Sequence, residues 1–202
     1  LEQLNTTLGT MTQHFGRTPE MLAIAQKLAV DMPVVAGLLT ELEQLIASLS
    51  FSTQNDRKAL FRFPLGRIPE SIVELSEPLS RYFLDLGDLL DAGHTHLQEV
   101  MDGSRNWKNT EPAEEWLPIV GLHVNRALQT HSLFSHYAGA ELGNPLHARW
   151  VLRLETDAGL DLECLSAPLD PGGILREIPW QKCHAAVLTS ATLCTMGSFE
   201  RF

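Results

Sequence analysis

The chain has 202 residues and a mass of 22.4 kDa, which allows one hydrophobic core, or one domain with an appendage. Its hydrophobic content of 44% and charged content of 20% are ordinary for a globular protein. With 15 Lys and Arg against 25 Asp and Glu, the net charge is −10, which excludes nucleic-acid binding through a uniformly basic surface. Any contact with DNA must therefore be local.

Three cysteines, Cys164, Cys183 and Cys194, are odd in number and show no C-x-x-C spacing. They indicate neither a disulfide framework nor a zinc or iron–sulfur site. The sequence contains no run of about 18 uninterrupted apolar residues and does not start with a basic and then apolar leader pattern. We therefore expect a cytoplasmic protein with no membrane span, and the sequence leaves its oligomeric state open.

Helical periodicity dominates the first two thirds of the chain. Apolar side chains at alternating spacings of three and four predict a first helix that ends near Gly16. A hydroxyl, a proline and an acid at residues 18–20 predict the start of a second helix, which should break or kink near Pro33. Further helices are predicted from Pro69 to about Gly93 and over residues 116–137.

Between residues 50 and 69 the helical periodicity disappears, and residues 57–67 are the most basic stretch of this acidic chain. Basic side chains interleaved with phenylalanines could guide single-stranded DNA, since arginines hold phosphates and aromatic rings stack on bases. The alternative is a connector whose phenylalanines fill the core and whose charges face water. The candidate DNA-contacting residues are Arg57, Lys58, Phe61, Arg62, Phe63 and Arg67.

Histidines recur in the predicted helices, but their spacing does not favour a metal site. His94 and His96 are two residues apart and have no Cys or third His nearby. For His123, His131 and His136 we expect half-buried side chains with hydrogen-bonded partners rather than catalysis or metal binding. The sequence therefore predicts no metal site.

The pattern changes to a period of two after Gly139. Trp150, Leu152 and Leu154 alternate with the residues between them, and residues 157–159 supply a turn before the alternation resumes. This pattern predicts a β-hairpin with one apolar face. We place a domain boundary near residues 139–147.

The last part of the chain contains the most specific motif. Residues 185–188 are apolar without alternation, as in a strand that is buried on both faces. Small and hydroxyl residues follow this predicted strand, as in a loop. They are Thr189, Ser190, Ala191 and Thr192.

The run LTSATL at residues 188–193 resembles the third motif of superfamily 2 helicases. Together with MGSFERF at residues 196–202 it resembles the bacterial DinG helicases, which are relatives of the XPD branch. Short matches at residues 45–49, 62–69 and 125–128 follow in the same order. These 202 residues contain no phosphate-binding loop, no DEAH box and no four-cysteine cluster signature, so the resemblance is to a piece of a motor.

The resemblance implies a mainly α fold with a small α/β portion. Residues 1–142 would form a helical arch domain, and residues 143–202 a β-hairpin and one parallel strand of the first RecA-like motor domain. The intact protein would be an ATP-dependent 5′–3′ DNA helicase that uses ATP, Mg²⁺ and a 4Fe–4S cluster and moves on single-stranded DNA. The arch would help to guide that strand.

In this interpretation Thr189, Ser190, Ala191 and Thr192 couple ATP hydrolysis to unwinding without performing chemistry. The fragment alone should hold no cofactor, be inactive, and bind DNA weakly or not at all. Its strand at residues 185–188 lacks its parallel neighbours, so it should fray, pair with the hairpin, or pair with another molecule.

Two other functions stay open from the residues. The first is a non-catalytic helical module whose acidic surface binds a protein partner. The second is a hydrolase that uses a Cys or a His, although Cys183 and His184 would face opposite ways on a strand.

Overall fold

The computed structural model describes residues 6, 7, 9, 10, 18–55, 57–105, 111–139, 147–157, 159–169, 172 and 182–184. In chain order the elements are α1 (Pro19–Ala47), β1 (Ser52–Asn55), β2 (Lys58–Arg62), a 3₁₀ turn (Pro64–Gly66), α2 (Glu70–Met101), α3 (Glu111–Tyr137), β3 (His147–Thr156) and β4 (Gly159–Pro168). The described part is mostly helical with one small antiparallel sheet, which confirms the mainly α prediction at this level. Most of the predicted first helix, the predicted strand at residues 185–188 and the loop after it lie outside the described residues.

Helix α1 begins where the sequence predicts. The Thr18 hydroxyl oxygen accepts a hydrogen bond from the Met21 amide at 3.3 Å, and Pro19 occupies the first turn. Of the break or kink predicted near Pro33, the break is wrong, because the helix continues through it to Ala47. Pro33 and Ala29 are both exposed, so water can bind the carbonyl that the proline ring leaves without its helical donor.

Helices α2 and α3 make the most extensive contact between elements, and their facing sides form the core. The prediction that Gly93 ends α2 is wrong, since the helix runs on to Met101. A side chain at Gly93 would place its Cβ 3.4 Å from Ile24 of α1, so the glycine permits close packing of α1 on α2. The buried apolar residues of α2 and α3 include Ile72, Leu79, Leu86, Leu90, Leu97, Val100, Ala113, Trp116, Val120, Val124, Ala127 and Phe134.

Within the described residues, helix α1 packs against α2 along one side. On that side, Lys27 donates to Asp85 of α2 at 3.3 Å. The opposite side exposes apolar residues, with Val30 65% and Val34 64% exposed. By length and composition alone α1 could cross a membrane, a property that core helices of globular proteins share.

Four antiparallel strands form the sheet in the order β1-β2-β3-β4. The predicted hairpin is confirmed as β3 and β4, joined at the pair Thr156 and Gly159. Its predicted single apolar face is wrong, because Leu162 and Cys164 lie opposite Arg153 and Val151, on the other side of the sheet from Trp150, Leu152 and Leu154. Strands β1 and β2 fall in residues 50–69, where the sequence predicted no regular element. Because β2 pairs with β3, the sheet takes strands from both sides of the predicted boundary near residues 139–147. The division at that boundary stays a prediction.

One tyrosine joins the helices to the sheet. Tyr137, at the end of α3, is 1% exposed, and its hydroxyl donates to the Trp150 carbonyl oxygen at 2.7 Å. The same hydroxyl accepts from the Leu165 amide at 3.2 Å, so it bonds to both β3 and β4. Burial raises the pKa of Tyr137. The tyrosine therefore fixes the position of Trp150 relative to α3.

Candidate nucleic-acid interface

The four basic residues singled out in the sequence are all exposed, but only two of them share a strand face. Arg57 lies in the turn between β1 and β2, where its guanidinium is 3.8 Å from a carboxylate oxygen of Asp157. Lys58 and Arg62 are the two ends of β2 and, four residues apart, lie on the same side of the sheet. Arg67 follows the 3₁₀ turn.

The two phenylalanines of this stretch contact other aromatic rings. Phe63 is 5% exposed, and its ring meets Tyr137 edge-on at 5.7 Å. Phe61 is half-buried, with its ring 5.1 Å from Phe63 and 6.1 Å from Phe51. These contacts place both rings in the packing between sheet and helices.

The basic side of β2 opens onto a cleft of about 810 Å³ on the outer face of the sheet. None of the described residues that line it is an Asp or a Glu, although the chain as a whole carries a charge of −10. Its lining includes Lys58, Leu60, Arg62, Phe63, Leu65, Trp150 and Leu152. The structure thus brings together two of the four candidate cations with a tryptophan that lies far away in the sequence.

The strand register determines which types of side chain lie next to each other on the outer face of the sheet. Lys58 of β2 lies opposite Leu154 of β3, which lies opposite Asp161 of β4. In the next row Leu152 separates Leu60 from Glu163, so the face changes from basic on β2, through apolar on β3, to acidic on β4. The helix-facing side of β3 carries Arg149 and Val151 instead, which are 9% and 0% exposed.

A buried arginine holds the turn at the end of the cleft. Arg149 donates from Nη1 to the Gly66 carbonyl oxygen at 2.8 Å, and its own carbonyl oxygen accepts from the Phe63 amide at 3.2 Å. Within this turn Leu65 has a φ of 53°, a left-handed conformation that is costly for a branched side chain. Leu65 is nevertheless 90% exposed and lines the cleft.

Cys164, His123 and His131 lie in buried or hydrogen-bonded surroundings. Burial raises the pKa of Cys164 to about 11, with a smaller opposing effect of the Tyr137 hydroxyl, so the thiol stays protonated at neutral pH. Burial, followed by the charge of Arg126, lowers the pKa of His123. Nδ1 of His131 lies 3.0 Å from the Ser80 hydroxyl oxygen. Within the described residues, no group of three His, Cys, Asp or Glu side chains could hold a metal ion.

Residues that sequence reasoning did not select as site residues are Trp150, Arg149 and Leu65. The alternation in β3 marked Trp150 as part of a strand face, but no local signal connects it to β2. The predicted coupling residues at positions 189–192 lie outside the described residues, so the structure does not relate them to the cleft.

No protein-family model matches this chain, and no curated protein sequence matches it.

Proposed function

We propose that this chain is part of an ATP-dependent 5′–3′ DNA helicase of the DinG type. Residues 1–142 would serve as the arch that guides single-stranded DNA, and residues 143–202 as a hairpin and parallel strand of the first RecA-like domain. The observation that carries the proposal is the cleft with Lys58 and Arg62 on its β2 side, a local cationic site in an acidic chain. The run LTSATL at residues 188–193 supports it independently.

The role of this chain in such a motor is mechanical. Hydrolysis of ATP, bound with Mg²⁺ at other parts of the intact helicase, would supply the free energy, and a 4Fe–4S cluster would also lie outside these residues. In a RecA-like domain, the loop that leaves the carboxyl end of a parallel strand lies at the nucleotide crevice. Thr189, Ser190 and Thr192 can form hydrogen bonds in more than one arrangement. With Ala191, they would relay the nucleotide state to the DNA-binding side.

Neutralising the basic stretch should weaken DNA binding by the 202-residue chain. We expect weak, salt-dependent binding of a fluorescein-labelled oligothymidylate, measured by anisotropy between about 50 and 200 mM salt. Replacing Arg57, Lys58, Arg62 and Arg67 together by Gln should lower the affinity. The slope of log K against log salt should become shallower by about 0.7 for each phosphate that the protein no longer neutralises.

A control that removes two charges elsewhere replaces Arg81 and Arg126 by Gln. Both are exposed arginines, on α2 and α3 respectively, away from the basic stretch. Binding that is unchanged by the fourfold substitution, or reduced equally by the control, would contradict a guiding role for residues 57–67.

The second candidate function is a helical module that binds a protein partner. The observation that favours it is the exposed apolar side of α1, where Leu22, Val30 and Val34 are 47%, 65% and 64% exposed. This function predicts no effect of the fourfold substitution in the basic stretch, so the same titration separates the two proposals.

A further inference from the structure

We propose that the cleft on the outer face of the sheet is a track for single-stranded DNA. In this track the phosphates lie along β2, a base stacks on Trp150, and Leu65 contacts the strand at one end. This inference rests on the proposed helicase function, because it names the path of the DNA strand within it.

The change from basic residues on β2 to acidic residues on β4 determines where the DNA backbone can lie on the sheet. Lys58 and Arg62 lie about 13 Å apart along β2, at about 3.3 Å per residue, so they can contact phosphates of more than one nucleotide. Asp161 and Glu163 lie on β4, two strand spacings or about 9–10 Å away. A phosphate backbone would therefore follow β2 and avoid β4, which places the bases over the apolar row of β3.

Trp150 is the aromatic residue best placed to meet a base. It lies directly opposite Arg62 in the β2–β3 register, where the Cβ atoms of a pair are about 4.5–5.5 Å apart. A phosphate at Arg62 and a base at Trp150 could then belong to the same or a neighbouring nucleotide. The bond from the Tyr137 hydroxyl to the Trp150 carbonyl oxygen holds the backbone of β3 at this position.

Leu65 is the second apolar contact. Leu65 is 90% exposed and has a left-handed backbone conformation. Burial of its side chain therefore does not offset the strain of that conformation. The turn that carries it is held by the bond from Arg149 to the Gly66 carbonyl oxygen. Strained residues that the surrounding structure holds in place concentrate at functional sites. In the track, this side chain would pack against the base or sugar next to the one on Trp150.

The test uses the full 202-residue chain and the labelled oligothymidylate. Trp150→Leu should lower the affinity about tenfold, in line with the loss of one stacked base, and Trp150→Phe should lower it less. The pair Lys58→Gln and Arg62→Gln should reduce the affinity more than the pair Arg57→Gln and Arg67→Gln. The pair Arg81→Gln and Arg126→Gln again serves as the control.

Leu65→Gly separates a binding effect from a folding effect. Glycine adopts a positive φ without strain, so this variant should be at least as resistant to urea as the wild type, yet it should bind the oligonucleotide several-fold more weakly. In the wild type, DNA should also quench tryptophan fluorescence, and this quenching should be much reduced in Trp150→Leu.

The outcomes distinguish the track from the proposed function. Binding that depends on the four cations but is unaffected by Trp150→Leu and Leu65→Gly would overturn the track and leave DNA guidance standing. Binding that responds to none of these substitutions would overturn both. Tighter binding of single-stranded RNA than of DNA would overturn the assignment of DNA as the ligand.

Discussion

Replacing Phe63 by Ala should lower the free energy of unfolding by about 3–5 kcal/mol, the usual cost of truncating a buried phenylalanine. Phe63 is 5% exposed and its ring lies between those of Phe61 and Tyr137, at 5.1 and 5.7 Å. The substitution would leave a cavity where β2 and the following turn pack on the end of α3. Urea unfolding followed by circular dichroism measures the effect.

Phe63→Leu is the matched variant, because it keeps most of the apolar volume and loses only the ring. It should cost less than Phe63→Ala and leave DNA binding close to that of the wild type. A Phe63→Ala protein that is as stable as the wild type but binds DNA less well would contradict this account. That result would assign the ring to a base rather than to the core.

Raising the pH above 9 should destabilise the fold. Burial raises the pKa of Cys164 from 9.0 to about 11, and burial together with the charge of Asp31 raises the pKa of Tyr82 from 10.0 to about 12. Both groups bind their protons more tightly in the folded state, so the unfolded state ionises first as the pH rises. Stability is then full below pH 9 and is lost progressively between pH 9 and 12.

Each shift of this size corresponds to about 2–3 kcal/mol at most, which is an upper bound on the stability that each group loses as the pH rises. Urea midpoints at pH 8, 10 and 11 measure it. Cys164→Ala, which removes one of the ionising groups, should make the pH dependence between 9 and 11 shallower. A midpoint that stays constant up to pH 11 would contradict the burial of these two groups.

The helices could be predicted from the sequence, but two of their expected ends could not. The cap at Thr18 and Pro19 is local chemistry, and the structure confirms it. Pro33 and Gly93 looked like breaks because local propensity disfavours both residues in a helix. Packing outweighs this local preference. Leu28 and Val35 are buried on either side of Pro33, and the missing side chain of Gly93 leaves room for the Ile24 side chain.

In the sheet, only the pairing between strands that are close in sequence could be predicted. The hairpin of β3 and β4 is a local pairing with a turn signal, and alternation predicted it. Strand β2 has only five residues, and it pairs with β3, which lies some ninety residues later in the chain. No local pattern carries information about such a pairing.

Some residues of the candidate site could be found from local sequence, whereas others depend on contacts with distant parts of the chain. Composition selected Arg57, Lys58, Arg62 and Arg67 as the local basic feature of an acidic chain, without distinguishing the two that share a strand face. It associated them with Phe61 and Phe63 because those residues are adjacent in sequence, whereas the strand register places Trp150 opposite Arg62. Arg149 gave no sequence signal, because its role depends on the distant Gly66 carbonyl group.

The measurement that tests the central claim most directly is the sequence of the open reading frame on both sides of the segment encoding residues 1–202. The account predicts an in-frame phosphate-binding loop and a DEAH box upstream, and further motor motifs downstream. A stop codon directly after Phe202, with no phosphate-binding loop upstream, would contradict the helicase assignment and direct attention to protein partners.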